Sequence, residues 1–424
     1  MTSPAPSPAP SASGPHASDA AEFTPATQAE LTRFVEENCR GAKRPLFPVG
    51  GRTALRHGYA PTKPGTTVNL EQLQRVLDYP ARDMTITVEA GITIAELQAV
   101  LRKEGQRLPI DIPLAHRATL GGAIATNTSG PSRLGSGTFR DYVIGISAVD
   151  GTGRRFSAGG RVVKNVAGYD LCKLLIGSLG TLGIISQVTL KVRPKTESHR
   201  AVWSTFAGAT GLEAALANLL NSATRPMAVE ILNPKAARHI ARESKVSLPL
   251  EQPVLLVAFE GTAREVDWQV ETFRGELAAS GPSQVETLSS DATDALWIPL
   301  TEYQAASDDP LTFQASLPPS RVVEFVESAT PQGVAIQAHA GSGIVVGHLP
   351  DRCASAESAS TALRPLRDLA ERQGGNLVIL SCDDAWSERL SLFGTPRGDR
   401  ALMERVQKQF DPAGVLNPGR LFRS

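Results

Sequence analysis

The chain has 424 residues, 43 basic and 43 acidic side chains, a formal charge of zero and 41% hydrophobic residues. That length predicts two or three domains, each able to bury its own core, and the balanced charge argues against a nucleic-acid partner, which demands a basic excess. The longest apolar run, Val254 to Phe259, falls far short of the ~20 residues that span a bilayer, and Cys39, Cys172, Cys353 and Cys382 form no CxxC pair or metal-ligand spacing. No iron–sulfur cluster is therefore expected within the chain, and reduced thiols in a cytoplasmic compartment fit.

Residues 1–23 are mostly Pro, Ala and Ser without apolar periodicity, and read as a disordered tail. Neither a basic n-region nor an apolar h-region is present, so no signal peptide is expected. Thr27-x-x-Glu30 is a capping box, followed by Leu31, Phe34 and Val35 on one helical face. A strand-like RPLFPVG then ends in Gly50-Gly51. Thr85 to Ala90 alternates, with Ile86, Val88 and Ala90 on one side, as in a half-buried strand. Thr93-x-x-Glu96 is a second capping box, Leu97, Val100 and Leu101 make the stripe, and Gly105 stops that helix. Strand pieces recur in DYVIGISAV and TLGIISQVTLKV, the latter closed by Arg193-Pro194. Beyond a boundary near 195–200, LEAALANLL and REVDWQVETFRGEL read as helices, and PVLLVAFEG, GVAIQAH and GNLVILSC as strands. The fold class is α+β, with an antiparallel sheet in the second domain. The expected division is 24–196, 197–385 and a C-terminal segment 386–424.

No Gly-Lys dipeptide, HExxH or GxSxG occurs, and no GxGxxG sits between a strand and a helix. A P-loop, a zincin, a nucleophile elbow and a Rossmann site are thereby excluded. Three glycine-rich stretches remain: Val49-Gly50-Gly51-Arg52-Thr53, Ala118 through Gly130, and Gly180-Thr181-Leu182-Gly183-Ile184-Ile185. Small residues let a ligand approach the main chain, where consecutive N–H groups form anion-binding nests. Between Gly105 and Val149 four arginines (107, 117, 133 and 140) stand against two aspartates (111 and 141), a local excess suited to a diphosphate. Each stretch alone is explained by tight turns; the three together point to a nucleotide.

The order PVGGRT, ATLGGAIATNTSG, GTFRDYVIGI and KNVAGYDLCKLLIGSLGTLGII closely resembles the FAD-binding domain of the vanillyl-alcohol oxidase/p-cresol methylhydroxylase family. Within it, VVKNVAGYDL and FDPAGVLNPGRLF look most like the family of flavin-binding E subunits of bacterial glycolate oxidases. The resemblance covers roughly 45–195 and 365–424. It implies a two-part FAD domain of the p-cresol methylhydroxylase type plus an α+β cap with an antiparallel sheet. It also implies that Val49, Gly50, Gly51, Arg52 and Thr53, together with Pro113, Thr119, Leu120, Gly121, Gly122, Ala125, Thr126 and Asn127, hold FAD. By the same resemblance Gly137, Thr138, Gly183, Ile184 and Ile185 line the cofactor, and Asn417 returns to it. Arg52 stands where covalent family members carry a flavin-linked histidine, so FAD is expected to be non-covalent.

Metal-using members of that family carry HxGDGNxH in the cap. Here the segment reads His339-Ala340-Gly341-Ser342-Gly343-Ile344-Val345-Val346, with His348 two residues late, and no metal is expected. His339 is a candidate base or a structural histidine. Lys164 is a candidate charge near flavin or substrate, or a surface lysine on a turn. Tyr169 and Asp170 are expected to fix their loop, and Cys172 to pack. The implied activity is oxidation of a small 2-hydroxy acid such as glycolate to its 2-oxo acid, in a complex with a second flavin subunit and an iron–sulfur subunit, soluble or peripheral to the inner membrane through partners. Two alternatives stand beside it: a flavin relay or structural subunit, and an independent flavin enzyme with another substrate.

Overall fold

The computed structural model describes residues 21–160, 170–306, 309–396 and 398–422. The N-terminal unit holds two sheets. The first is parallel, with strands Ala21–Phe23, Thr66–Asn69 and Leu46–Val49 in that order. Residues 21–23, expected to belong to the tail, are thus ordered strand; the Phe23 ring stacks on Phe34 with centroids 3.9 Å apart, a contact that a Pro/Ala/Ser composition does not announce. The second sheet is antiparallel, ordered Val76–Asp78, Thr85–Glu89, Ile184–Lys191, Val143–Val149 and Arg155–Gly159. Ile86 and Val88 face its core as their alternation requires. The other side of Thr85–Glu89 is buried too, because Arg75 covers the Glu89 carboxylate with hydrogen bonds of 2.7, 2.9 and 3.1 Å.

Caps set the helix entries. Thr93 and Glu96 form a complete capping box at helix Ile94–Arg102. At helix Gln28–Arg40 the box is offset by one residue: Thr27 accepts from the Glu30 N–H, while the Glu30 carboxylate accepts from Ala26.

The second unit is built on one eight-stranded sheet, antiparallel throughout. Its order is Gln284–Thr287, Ser198–Thr205, Val254–Gly261, Ala228–Leu232, Ala335–His339, Ile344–His348, Leu311–Ser316 and Asn376–Cys382. Val254 through Phe259 are buried on both sides, the mark of a covered central strand. One face packs under helices Ala263–Leu277, Val322–Ala329 and Ala356–Arg372. Helices Pro234–Ser244 and Ser290–Glu302 cover only part of the other face. The remainder, including Gln314, Ser316, Ile344, Val378 and Leu380, is left to look at the first unit across a cavity.

The C-terminal segment returns from the cap to the first unit. After helix Arg400–Phe410, the Asp411 carboxylate accepts the N–H groups of Val415 and Leu416, and Leu416 bridges to Leu46 in the first sheet. The Arg420 guanidinium donates to the carbonyls of Ala54, Leu55 and Tyr59. Among the described residues no helix is long and apolar enough to cross a membrane.

Candidate functional site

A cavity of about 2770 Å³ runs between the two units. It exceeds the ~300–1,000 Å³ of an ordinary small-molecule pocket, so it has room for a dinucleotide and a substrate together. All three glycine-rich stretches meet on its wall. Val49, Gly50, Gly51, Arg52 and Thr53 form one edge, Pro113, Thr119, Gly121, Gly122, Ala125, Thr126 and Asn127 the next, and Gly183, Ile184, Ile185 and Asn417 the third.

The first edge is built for close approach. A Cβ on Gly51 would lie 1.6 Å from the Arg117 carbonyl oxygen, and one on Gly50 would lie 2.0 Å from Thr119 Oγ1, so only glycine lets this turn pack against 117–119. Among the described residues the N–H groups of Gly50, Gly51, Arg52 and Thr53 make no hydrogen bond within the protein. Four free donors on one cavity edge are arranged to accept an anion. Arg52 itself reaches outward to Glu22 at 3.0 Å. Asn417 pins the third edge, donating to the Leu179 carbonyl at 2.8 Å.

Other expected residues lie elsewhere. Leu120 is fully buried in the core beneath helix Leu120–Thr126 and does not line the cavity. Gly137 and Thr138 are also off the wall: Thr138 caps the short helix Phe139–Tyr142 in a capping box with Asp141. His339 has the surroundings of the structural one of its two expected roles. It sits directly opposite Glu230 in the cap sheet and is 6% exposed, with Nδ1 2.8 Å from the Glu230 carboxylate, which Gln337 also contacts at 2.8 Å. Its ring is spent on a buried partner and is absent from the cavity wall. Lys164 and Tyr169 lie outside the described residues. Asp170 pairs with Lys173 at 3.2 Å, and Cys172 is buried with its thiol pushed up to about 11 by burial.

The wall carries groups that no sequence pattern singled out. His57 is held down at about 4 by burial and by the Arg420 charge, so its imidazole is neutral at neutral pH. His239 is lowered by burial and by Arg242. Burial raises the Glu302 carboxyl, although it accepts the Leu114 N–H at 2.9 and 3.0 Å. Burial also brings Arg420 down to about 10. Three bonds tie the cap to the 111–129 segment beside the cavity: Glu302 to Leu114, Trp297 Nε1 to Asp111 at 3.0 Å, and Gln304 Nε2 to the Ser129 carbonyl at 3.0 Å. Among the described residues no group of three or more His, Cys, Asp or Glu is placed to hold a metal.

Comparison with known proteins meets this geometry at both units. Residues 20–159 match the FAD binding domain family, and residues 196–368 match the C-terminal domain of FAD linked oxidases. The chain is an FAD-dependent oxidoreductase with a fold of the p-cresol methylhydroxylase type. The oxidoreductase is 25% identical over 425 residues to glycolate oxidase subunit GlcD of Bacillus subtilis (strain 168), covering 95% of this chain and 88% of that one. It is 28% identical over 392 residues to D-lactate dehydrogenase of Archaeoglobus fulgidus, covering 89% and 86%. Glycolate oxidase subunit GlcE of Escherichia coli (strain K12) is 36% identical over 154 residues, which is 36% of this chain and 43% of that one. Among solved structures, 4-ethylphenol oxidase from Gulosibacter chungangensis superposes with a TM-score of 0.72 at 17% identity, over 94% of this chain and 88% of that one. p-Cresol methylhydroxylase gives 0.70 at 16% over the same shares. These two likenesses concern the fold. The cofactor of the oxidoreductase is FAD, held without a covalent bond.

Proposed function

We propose that this oxidoreductase takes a small 2-hydroxy acid to its 2-oxo acid as a flavin-bearing chain of a glycolate-oxidase-type assembly. The observation that carries the reading is the meeting of the free-donor turn at 50–53 and the open face of the cap sheet on one cavity. Relatives aligned along nearly the whole chain are named for glycolate and D-lactate, which supports the substrate class.

The residues divide the work. Gly50 to Thr53, with Thr119, Gly121 and Gly122, would hold the diphosphate and the chain beyond it, with Asn417 closing the third edge. Bound FAD supplies the two-electron acceptor for the hydrogen leaving C2 as hydride. The hydroxyl proton goes to a wall imidazole; His57 and His239, both lowered below the ordinary histidine value, are free to accept it at neutral pH. For the acid to become the 2-oxo acid, its C2–H and O–H bonds would break as the C=O bond forms, and the two electrons taken up would pass on to a partner. By resemblance that partner is an iron–sulfur protein beside a second flavoprotein, and the 36% match to a GlcE favours the GlcE place in such an assembly.

A second reading has its own support. His339 is engaged by Glu230, and Val346 stands where the metal-using cap motif has its second histidine. Those features favour a flavin relay whose sister flavoprotein does the chemistry. Anaerobic mixing of the purified chain with glycolate or D-lactate separates the two. Bleaching of the visible flavin band by the isolated chain supports direct oxidation. Bleaching only after a sister flavoprotein is added overturns it in favour of the relay.

A further inference from the structure

The cavity wall carries cations of both units, and most of them are engaged. Arg242 pairs with Glu243 at 3.0 Å, Arg389 with Glu357 at 2.6 Å, Arg52 with Glu22, and Arg420 is spent on carbonyls. Arg117 stands beside the diphosphate turn, donating to the Gly51 carbonyl. Arg133 is different. It is half-buried where helix Arg133–Ser136 meets the cap, at a seam closed by the Gly135 N–H on the Met227 carbonyl and by Leu134 against Gly341. Its guanidinium donates to Ser129 Oγ at 3.0 Å, and among the described residues no carboxylate lies within 4.0 Å of it. Asp141, whose charge does reach it, keeps its carboxylate on the Thr138 N–H at 2.8 Å. A half-buried guanidinium without a contacting counter-ion leaves a positive site that an anion would complete.

The cap side of the same cavity has the opposite character. Glu243 and Glu357 are neutralised there by Arg242 and Arg389, and the charges of Arg56 and Arg420 reach the Asp383–Asp384 end, which leaves Glu302 and Asp309 as the acidic groups of the wall on the Gln304 side. Gln304 brings this wall to the Arg133 side, since its amide donates to the Ser129 carbonyl while Arg133 holds the Ser129 hydroxyl. An anionic group therefore meets Arg133 at the seam, with Glu302 and Asp309 on the cap wall beyond it.

We propose that Arg133 anchors the substrate carboxylate and that the acidic cap wall restricts the enzyme to monocarboxylic 2-hydroxy acids. This rests on the 2-hydroxy-acid reading and deepens it. A fork of two parallel N–H donors matches a carboxylate, and the second carboxylate of a dicarboxylic acid would have to enter among Glu302, Asp309 and their neighbours.

The test uses FAD-loaded full-length protein and 2-hydroxy-2-methylpropanoate, a 2-hydroxy acid with no hydrogen on C2. Its binding is followed by perturbation of the flavin spectrum, so no turnover is needed. The expected result is binding to the wild type, affinity weaker in Arg133→Met on the order of 30-fold or more, and a smaller loss in Arg133→Lys, which keeps the charge without the fork. FAD content and thermal midpoint of each variant report folding, and Arg133→Lys remains informative where Arg133→Met is unstable. Wild-type kcat/KM is expected to favour lactate over 2-hydroxyglutarate by more than about tenfold. Equal probe affinity in wild type and both variants, no probe binding by wild type, or equal use of the dicarboxylate overturns the proposal. Probe binding that needs Arg133 without oxidation of any 2-hydroxy acid leaves the anchor standing and removes direct oxidation instead.

Discussion

His348 makes acid stability a sharp test of the cap's interior. Its side chain is 2% exposed; Nε2 donates to the Tyr303 carbonyl at 2.9 Å, and Nδ1 lies 3.1 Å from Thr312 Oγ1 and 3.5 Å from Asp309. The Tyr303 ring stands edge-on at 4.7 Å. Burial holds the imidazole down at about 4 from 6.5, helped by nearby His239 and opposed by the Tyr303 carbonyl. Below 6.5 the unfolded chain takes up a proton that the folded chain refuses, so stability falls as pH falls and the loss is complete near the folded value. Each pKa unit is worth about 1.4 kcal/mol, so this one group removes about 2 kcal/mol between about pH 7 and pH 5. Denaturant unfolding of wild type and His348→Gln at the two pH values measures it. The variant starts lower by about 1–3 kcal/mol, because the Tyr303 carbonyl and Thr312 lose a buried partner. Its further loss on acidification should be smaller than that of wild type by about 2 kcal/mol. Identical pH dependence of the two proteins would refute the reasoning, since His57, whose imidazole is also held at about 4, is present in both.

Other outcomes follow from single contacts. Gly51→Ala puts a methyl 1.6 Å from the Arg117 carbonyl, so the turn must open; overpacking of about 1–3 kcal/mol translates into FAD binding weaker by about 5- to 150-fold by titration of the apoprotein. Acid precipitation of the holoprotein should carry the flavin bands into the supernatant, and bands retained in the pellet would contradict a non-covalent cofactor. Asn233 is 1% exposed and serves three elements, capping helix Pro234–Ser244 at Ala236, accepting from Ile336 and donating to the Val334 carbonyl. Asn233→Ala should cost about 3 kcal/mol of unfolding free energy, and a loss within about 0.5 kcal/mol of zero would show that water replaces it.

Local patterns were legible in the sequence wherever one physical term dominates. Thr93 and Glu96 form their box because both partners are three residues apart, and Ile86 and Val88 face the core because a strand alternates. The glycine stretches were legible because close backbone approach excludes a Cβ, and that requirement holds whatever the tertiary partner. Pairings across long separations were not. Glu230 and His339 are 109 residues apart, and only the sheet register sets them opposite each other. Gly137 and Thr138 look like further ligand-binding glycine and hydroxyl groups in one dimension, yet Thr138 serves a helix start. The sequence did show an arginine excess around residue 133, but which arginine lacks a counter-ion depends on where the cap arrives.

The crossing of residues 411–420 back to the first sheet sets an order of events in synthesis. Leu416 completes the edge beside Leu46, Asn417 closes the third edge of the cavity, and Arg420 seals the 54–59 turn. A ribosome releases the N-terminal unit long before these arrive, and domains generally fold as they emerge. The cofactor therefore meets an incomplete cradle while the cap is still being translated. The third edge of the cavity is complete only when position 420 has cleared the exit tunnel. A stalled or truncated nascent chain would display the glycine turns without the edge that Leu416, Asn417 and Arg420 add, so comparing flavin retention in full-length and truncated chains would show what that edge contributes.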